Sequence, residues 1–162
     1  MRLLKFFSLV CFLALLAACQ PQDSYFYEVN PLGITDATGE KTKEKSLDQF
    51  ISILHANMFQ KAISASELVE VRNVMESIGD KEVAFELLVS NFMNRSDVII
   101  PSDEEMREDI DAFLVDTYKR FFVRIPTEAE KADLHNFIET NPDITAELVY
   151  YSFAMSEEYR FY

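Results

Sequence analysis

The side chains in this chain best suited to acid–base or metal chemistry are its two histidines and its many carboxylates. The 162 residues include His55 and His135, 28 Asp and Glu, and 15 Lys and Arg. His135 and Glu139 are four residues apart, a spacing that suits both a surface pair on a helix and a pair of metal ligands. No H-E-x-x-H motif accompanies them. We therefore expect a surface pair at His135, a partly buried His55, and no metal or other cofactor.

A run of carboxylates is the second candidate for chemistry. It consists of Asp103, Glu104, Glu105, Glu108, Asp109 and Asp111. Negative charge is favoured near a helix N-terminus, and the run lacks a glycine-containing loop of calcium-binding spacing. We therefore interpret it as a solvated helix face rather than a cation site. A pair of carboxylates of the glycosidase type stays open as an alternative, but the chain has no G-x-S-x-G motif and no glycine-rich phosphate loop. An enzyme is the less favoured class, and no catalytic residue is singled out.

Cys19 is a residue whose neighbours predict a modification. It ends the sequence Leu16-Ala17-Ala18-Cys19, which follows two basic residues and an apolar stretch over 6–16. That order is typical of a secretory signal. It resembles the signal of bacterial lipoproteins, whose lipobox ends in the lipidated cysteine. The resemblance implies a diacylglyceryl group on the Cys19 thiol, cleavage after a signal peptide of residues 1–18, and an acylated new N-terminus.

The same segment bears on localisation. A transmembrane helix is the alternative, but Leu3 to Ala18 is only 16 residues long and contains Lys5, whereas a span needs roughly 20 apolar residues. We expect attachment to the membrane through the acyl chains on Cys19, since two or more chains anchor a protein stably. By family analogy, Gln20 in place of Asp after the lipidated cysteine implies the outer rather than the inner membrane, and the leaflet stays open.

Charge and cysteine content exclude several classes of function. Loss of Arg2 and Lys5 with the signal lowers the basic count from 15 to 13 against 28 acidic residues, a net charge of −15. Such a charge repels phosphate backbones, so we expect no nucleic-acid partner. Cys11 would leave with the signal and Cys19 would carry the lipid. The mature chain would then have no thiol for a disulfide, a thiolate metal site or nucleophilic catalysis.

The body that follows is predicted to be all-α. Residues 19–45 are polar, contain two of the three glycines, and predict a tether. The aromatic strip over 25–29 either docks on the body, which we favour, or binds a partner. The domain over 46–162 carries four capping-box patterns, which begin at Ser46, Ser64, Ser102 and Thr127. Together with apolar periodicity they predict six helices, near 46–62, 65–78, 81–95, 103–124, 128–140 and 144–158.

The helical domain matches itself after a shift of 63 residues. Matched pairs include Asp48/Asp111, Phe50/Phe113, Ser64/Thr127 and Asn73/Asn136. Helices of similar periodicity share apolar spacing by chance, but chance does not readily reproduce polar pairs in the same register. We therefore predict two tandem three-helix repeats, over 46–97 and 109–162, packed into one body.

The second repeat contains a short motif. Residues 118–130 resemble the Y-x-x-F/L-x-x-R-x-P-T-x-x-E helix-turn-helix element of several bacterial envelope proteins of unknown function. The resemblance implies a way to join two helices and no catalytic group. The first repeat departs from the pattern at Ile63, which stands where the second has Pro126.

Three aromatic residues end the chain. Tyr159, Phe161 and Tyr162 lie beyond the last apolar helical period. They either fold back onto the core or form a partner contact of the kind in which aromatics are enriched. We predict a partner contact, because the first repeat has no equivalent aromatics.

These observations lead to two hypotheses of function. The first is a membrane-anchored helical lipoprotein that acts as an interaction or accessory subunit of a bacterial cell-envelope assembly, with an envelope protein as its partner. The alternative is a lipoprotein that binds or hydrolyses a small ligand in a groove between the repeats. A deep polar cleft would favour the second hypothesis, and a flat aromatic patch without a cleft would favour the first.

Overall fold

The computed structural model describes residues 41–162, and within that range the chain forms eight helices and no β-strand. The all-α prediction is confirmed. The helices are Leu47–Phe59 (α1), Ala65–Ser77 (α2), Lys81–Met93 (α3), Asp103–Glu108 (α4), Ile110–Phe122 (α5), Glu128–Thr140 (α6), Ala146–Met155 (α7) and Glu157–Arg160 (α8). None of these helices is both long enough and apolar enough to cross a membrane. Cys19 and the aromatic strip over 25–29 lie outside the described residues.

Each of these helices begins at a Ser, Thr or Asp whose side chain accepts a hydrogen bond from the first turn. Such caps satisfy backbone N–H groups that have no partner within the helix. Of the four predicted capping boxes, those at Ser46, Ser102 and Thr127 are complete. At the fourth, Ser64 accepts from the N–H of Glu67, but the Glu67 carboxylate pairs with Arg95 instead of turning back. The caps explain where the helices start.

Two of the six predicted helices are each broken in two. The helix predicted over 103–124 is interrupted at Asp109, whose backbone angles are not helical (φ −148°, ψ 85°). The Asp109 carboxylate accepts a hydrogen bond from the N–H of Ala112 at 2.9 Å. The helix predicted over 144–158 is interrupted at Ser156, whose hydroxyl accepts from the N–H of Tyr159. In both places a short polar side chain binds the backbone and replaces a helical turn. Apolar periodicity continues across the break at Asp109 and conceals it, whereas it ends at the break at Ser156.

The core lies between four of the helices. α1 and α5 each bury six residues, and α3 and α7 each bury five. α2 and α6 bury one residue each, Met75 and Ile138, and lie at the edge. α3 packs against α7, while α2 packs on α1 and α6 on α5. The edge helices are therefore held to the body by one face and leave the other face to solvent.

The two ends of the described chain pair with each other. The N–H of Lys45 donates to the carbonyl of Arg160 at 2.8 Å, and the N–H of Tyr162 donates to the carbonyl of Lys43 at 2.8 Å. Glu44 and Phe161 form an isolated antiparallel bridge. Residues 43–45 therefore pair with the C-terminal segment, and the boundary between tether and body at residue 46 stays a prediction.

Candidate functional site

Charged side chains concentrate at two turns, which we call corners. The first corner joins α1 to α2 and contains His55, Lys61, Glu67, Arg95 and Asp97. The second corner joins α5 to α6 and contains Lys41, Tyr118, Arg124, Glu130 and Glu158. In both corners the preceding helix ends at a residue with positive φ, Gln60 (51°) or Val123 (55°). A left-handed residue reverses the chain within a few positions, and this brings the charged side chains together.

Arg124 is the centre of the second corner. Its guanidinium contacts Glu130 at 2.6 and 2.9 Å and Glu158 at 2.8 Å through two nitrogens. The same guanidinium lies 4.8 Å above the ring of Tyr118. Lys41 adds a contact of 3.1 Å to Glu158. Beside these residues lies a polar cleft of about 530 Å³.

Electrostatics in this corner favour fixed charges. Hydrogen bonds from Arg124 are the main cause that lowers the pKa of Glu130 to about 2, and they also lower the pKa of Glu158. Burial raises the pKa of Tyr118 to about 12. A general acid at neutral pH requires a carboxyl group with a raised pKa, whereas both carboxylates here stay ionised. The cleft therefore holds an ion-pair cluster that is suited to fastening helices rather than to transferring protons.

The first corner uses more side chains for the same purpose. Lys61 contacts Asp97 at 2.7 Å, while Arg95 contacts Glu67 at 2.6 Å and Asp97 at 3.1 Å. Hydrogen bonds from Arg95, and then from Lys61, hold the pKa of Asp97 well below its usual range. These contacts connect the turn after α1 to the segment after α3. The first corner, too, is an ion-pair cluster.

His55 is more buried than predicted, with 1% of its surface exposed. Its Nδ1 lies 3.0 Å from the carbonyl oxygen of Lys61. In the tautomer that carries its proton on Nδ1, the ring donates a hydrogen bond to that oxygen. Its Nε2 has no hydrogen-bond partner among residues 41–162 and lies 3.9 Å from a Glu67 oxygen. The ring packs 4.6 Å from Phe59. His55 therefore closes the first corner from inside.

His135 forms the expected surface pair and a second contact that the sequence analysis missed. Its Nε2 lies 3.9 Å from Glu139, and its Nδ1 lies 2.6 Å from Asp111. The two carboxylates meet opposite nitrogens of one ring, so they cannot share one ion with it. No cluster of three or more metal-ligating side chains occurs within residues 41–162.

Several members of the acidic run have definite partners rather than forming only a solvated face. Asp103 accepts from the N–H of Ala146 at 2.7 Å and so ties α4 to the start of α7. Glu105 completes a capping box, and Asp109 caps α5. The run therefore positions helices at the connection between the two halves of the body.

The prediction of a partner contact is wrong for Tyr159. This side chain is fully buried, its ring lies 5.6 Å from Phe50 and 5.5 Å from Phe121, and its hydroxyl accepts from Asn57 at 2.9 Å. The first repeat needs no equivalent, because one ring fills a space that α1 and α5 share. Phe161 is partly buried, and Tyr162 is 43% exposed. A partner contact by these two residues stays a prediction.

Lys45 covers the buried tyrosine from the solvent side. Its Nζ donates to the carbonyls of Tyr159 and Phe161 and lies 4.4 Å above the Tyr159 ring. Burial is the main cause that lowers the pKa of Lys45 to about 8. The C-terminal segment is therefore held from both sides.

The sequence analysis also missed an apolar groove between α2 and α3. Met75 and Leu88 are buried at its floor, and Val74 and Leu87 line it with 61% and 54% of their surfaces exposed. Its volume is about 370 Å³. Helical spacing did not indicate it, because Val74 lies three residues after Val71 and four before Ile78, as a core residue of α2 would.

Comparison with known proteins adds no assignment to these sites. No protein-family model, no curated protein and no solved structure matches the chain. The functional interpretation therefore depends on the residues and their geometry.

Proposed function

We propose that this protein is a membrane-anchored helical lipoprotein that serves as an interaction or accessory subunit of a bacterial cell-envelope assembly. The anchor would be acyl chains on Cys19. The outer membrane is the favoured location, because Gln20 rather than Asp follows the lipidated cysteine. The partner would be an envelope protein. The observation that carries the interaction role is the apolar groove between α2 and α3, where Val74 and Leu87 remain exposed in an otherwise acidic protein. Exposed apolar surface of this kind is typical of binding sites.

We also propose that the body consists of two tandem repeats, over 46–97 and 109–162. After a shift of 63 positions, the first and last residues of α1 fall on those of α5, and the first and last residues of α2 fall on those of α6. The same shift relates the two residues with positive φ, Gln60 and Val123. It also relates every buried residue of α1 to a buried residue of α5. These agreements support a duplication, since chance similarity in apolar spacing does not require matching turns.

A ligand-binding or hydrolytic lipoprotein is the second candidate. It is favoured by a cleft of about 310 Å³ between α3 and α7, at the junction of the two halves. The side chains that line this cleft include one carboxylate, Glu147, with Ser90 and Tyr151 nearby. Hydrolysis by a carboxylate pair needs two such groups, so binding of a small ligand is the more plausible activity for this cleft.

The anchor is tested by metabolic labelling with a fatty acid. The wild-type chain should take up the label, whereas Cys19→Ser should remain an unlabelled precursor of higher mass. Cys11→Ser is the matched control, because it removes the other thiol and should label normally. Normal labelling of Cys19→Ser would rule out Cys19 as the site of lipid attachment.

The interaction role is tested by purification from the native envelope in a mild detergent. An envelope protein should co-purify in a fixed ratio with the wild-type chain. It should be lost when Val74 and Leu87 are both replaced by Glu. Recovery of the chain alone, with a bound small molecule, would favour the second candidate.

A further inference from the structure

The apolar groove has the shape of a site for a helix. It runs between two consecutive helices of 13 residues each, which corresponds to a length of about 20 Å. Apolar side chains form its floor and walls, while Glu70 and Asn91 line it as exposed polar residues. A helix laid along such a groove inserts side chains spaced three and four residues apart.

Charge narrows the choice of partner. Among residues 41–162, Glu70 is the charged residue in the lining of the groove, and no Lys or Arg lines it. Arg72, the basic residue of α2, contacts Asp48 at 3.0 Å, and Lys81 at the start of α3 is not among the lining residues. The chain as a whole has a net charge of −13. Complementary charge favours encounter with a positive partner and disfavours a negative one.

We propose that the groove between α2 and α3 binds an amphipathic, net-positive helix of a partner protein. Val74 and Leu87 would pack against the apolar face of that helix, and Glu70 would pair with a Lys or Arg on its flank. A second copy of this acidic chain is disfavoured by charge. A small apolar ligand would leave the exposed walls uncovered. The proposal rests on the interaction role proposed above and adds the surface and the chemistry of the partner.

The test uses the full chain in phosphatidylcholine nanodiscs and two labelled peptides of about 15 residues, roughly four helical turns. One peptide is an amphipathic helix of Leu and Lys, and the other has Glu in place of Lys. Fluorescence anisotropy measures binding, with empty nanodiscs as the blank. The Leu/Lys peptide should bind at least about tenfold more tightly than the Leu/Glu peptide.

Variants then locate the site. The double substitution Val74→Glu with Leu87→Glu should weaken binding of the Leu/Lys peptide by about tenfold or more, although it makes the protein more acidic. Phe137→Glu with Leu148→Glu is the matched control. These residues are 50% and 45% exposed and lie on the edge helix α6 and on α7. The control adds the same charge and should leave binding unchanged or slightly stronger. Thermal melts verify folding, and Leu87→Ala provides a variant without added charge.

Four results would overturn the proposal. Two of them are an equal loss of peptide affinity in the two double variants and equal binding of the two peptides. The others are a self-associated species that the groove variant abolishes, and binding of 1-anilinonaphthalene-8-sulfonate without peptide binding that the groove variant abolishes. Failure here would leave the labelling of Cys19 and the co-purification of an envelope protein with the wild-type chain unaffected, so the failure of this proposal and that of the general interaction role can be told apart.

Discussion

The two corners of the molecule differ in where the arginine that joins their two carboxylates comes from. In the first corner, Arg95 from the segment after α3 contacts both Glu67 and Asp97, while Lys61 contacts Asp97. In the second, Arg124 contacts both Glu130 and Glu158, while Lys41 contacts Glu158. A guanidinium offers five donors in a planar fork, whereas a lysine ammonium is a compact point charge. The arginine of the second corner lies in the turn itself, at the position that a shift of 63 residues matches with Lys61, and its guanidinium lies over the Tyr118 ring.

The difference teaches where each half concentrates its stability. Arg124 is 16% exposed, whereas Lys61 is 54% exposed. The second half also contains Arg107, which donates to the carbonyls of Ile138 and Ile144 at 3.0 and 2.8 Å. The second half therefore depends on partly buried arginines, whereas the matched cation of the first half, Lys61, is mostly exposed.

The largest effect should come from the residue that both halves share. Replacing Tyr159 by Ala should lower the free energy of unfolding by about 3–5 kcal/mol, the range for a large buried aromatic side chain. Tyr162→Ala, at an exposed position three residues further on, should change it by less than about 0.5 kcal/mol. Urea denaturation followed by circular dichroism gives both values. Equal effects would mean that the C-terminal aromatics act as one surface.

The next effect should separate the two corners. Arg124→Met should lower the free energy of unfolding by about 2 kcal/mol, because it leaves the partly buried Glu130 without its charged donor and Glu158 with Lys41 as its cation. Lys61→Met should lower it by less than about 1 kcal/mol, since its pair with Asp97 is exposed and screened. The measurement is the same denaturation at low and high salt. A larger loss of unfolding free energy for Lys61→Met than for Arg124→Met would contradict this ranking of the two corners.

Acid should weaken the second corner through Glu130. Its pKa is about 2 in the folded protein against an ordinary 4.5. A lowered folded-state pKa means that the stabilisation is present above pH 4.5 and is lost as the pH falls from there towards 2. The loss should be on the order of 1 kcal/mol, because the carboxylate is partly exposed to solvent. Stability measured over this range should fall less steeply in Arg124→Met than in the wild type, and parallel curves would contradict the prediction.

The smallest effect should be a gain. Val123 and Gln60 both have positive φ at the end of an inner helix, a conformation that is especially unfavourable for a β-branched residue. Val123→Gly should therefore raise the free energy of unfolding by about 0.5–1 kcal/mol. Gln60→Gly should raise it by a smaller amount, because Gln is not branched at Cβ. The denaturation midpoints of the two variants give the comparison, and a loss on Val123→Gly would show that the Val side chain is packed.

Much of the secondary structure was predictable because its determinants are local. Ser46, Ser102 and Thr127 start helices through hydrogen bonds that reach only three residues along the chain. The break at Asp109 was predictable in principle, since a shift of 63 residues places it on the cap Ser46. It was missed because the apolar period continues through it.

The candidate sites were less predictable, because their partners are far apart in sequence. Arg124 and Glu158 are separated by 34 residues, and Tyr159 and Asn57 by 102. Periodicity along one helix carries no information about such pairs. The groove between α2 and α3 depends in the same way on how the edge helix α2 packs against α3.

The sequence by itself determined the helical class of this protein, the points at which most helices start, and the signal that predicts lipid attachment at Cys19. Each of these is encoded in a short window, through a cap, an apolar period or a lipobox. The tertiary structure alone decided that Tyr159 lies in the core and that Val74 and Leu87 remain exposed. Burial of a side chain depends on which distant helices cover it, and that is a property of the packed body rather than of any window of its sequence.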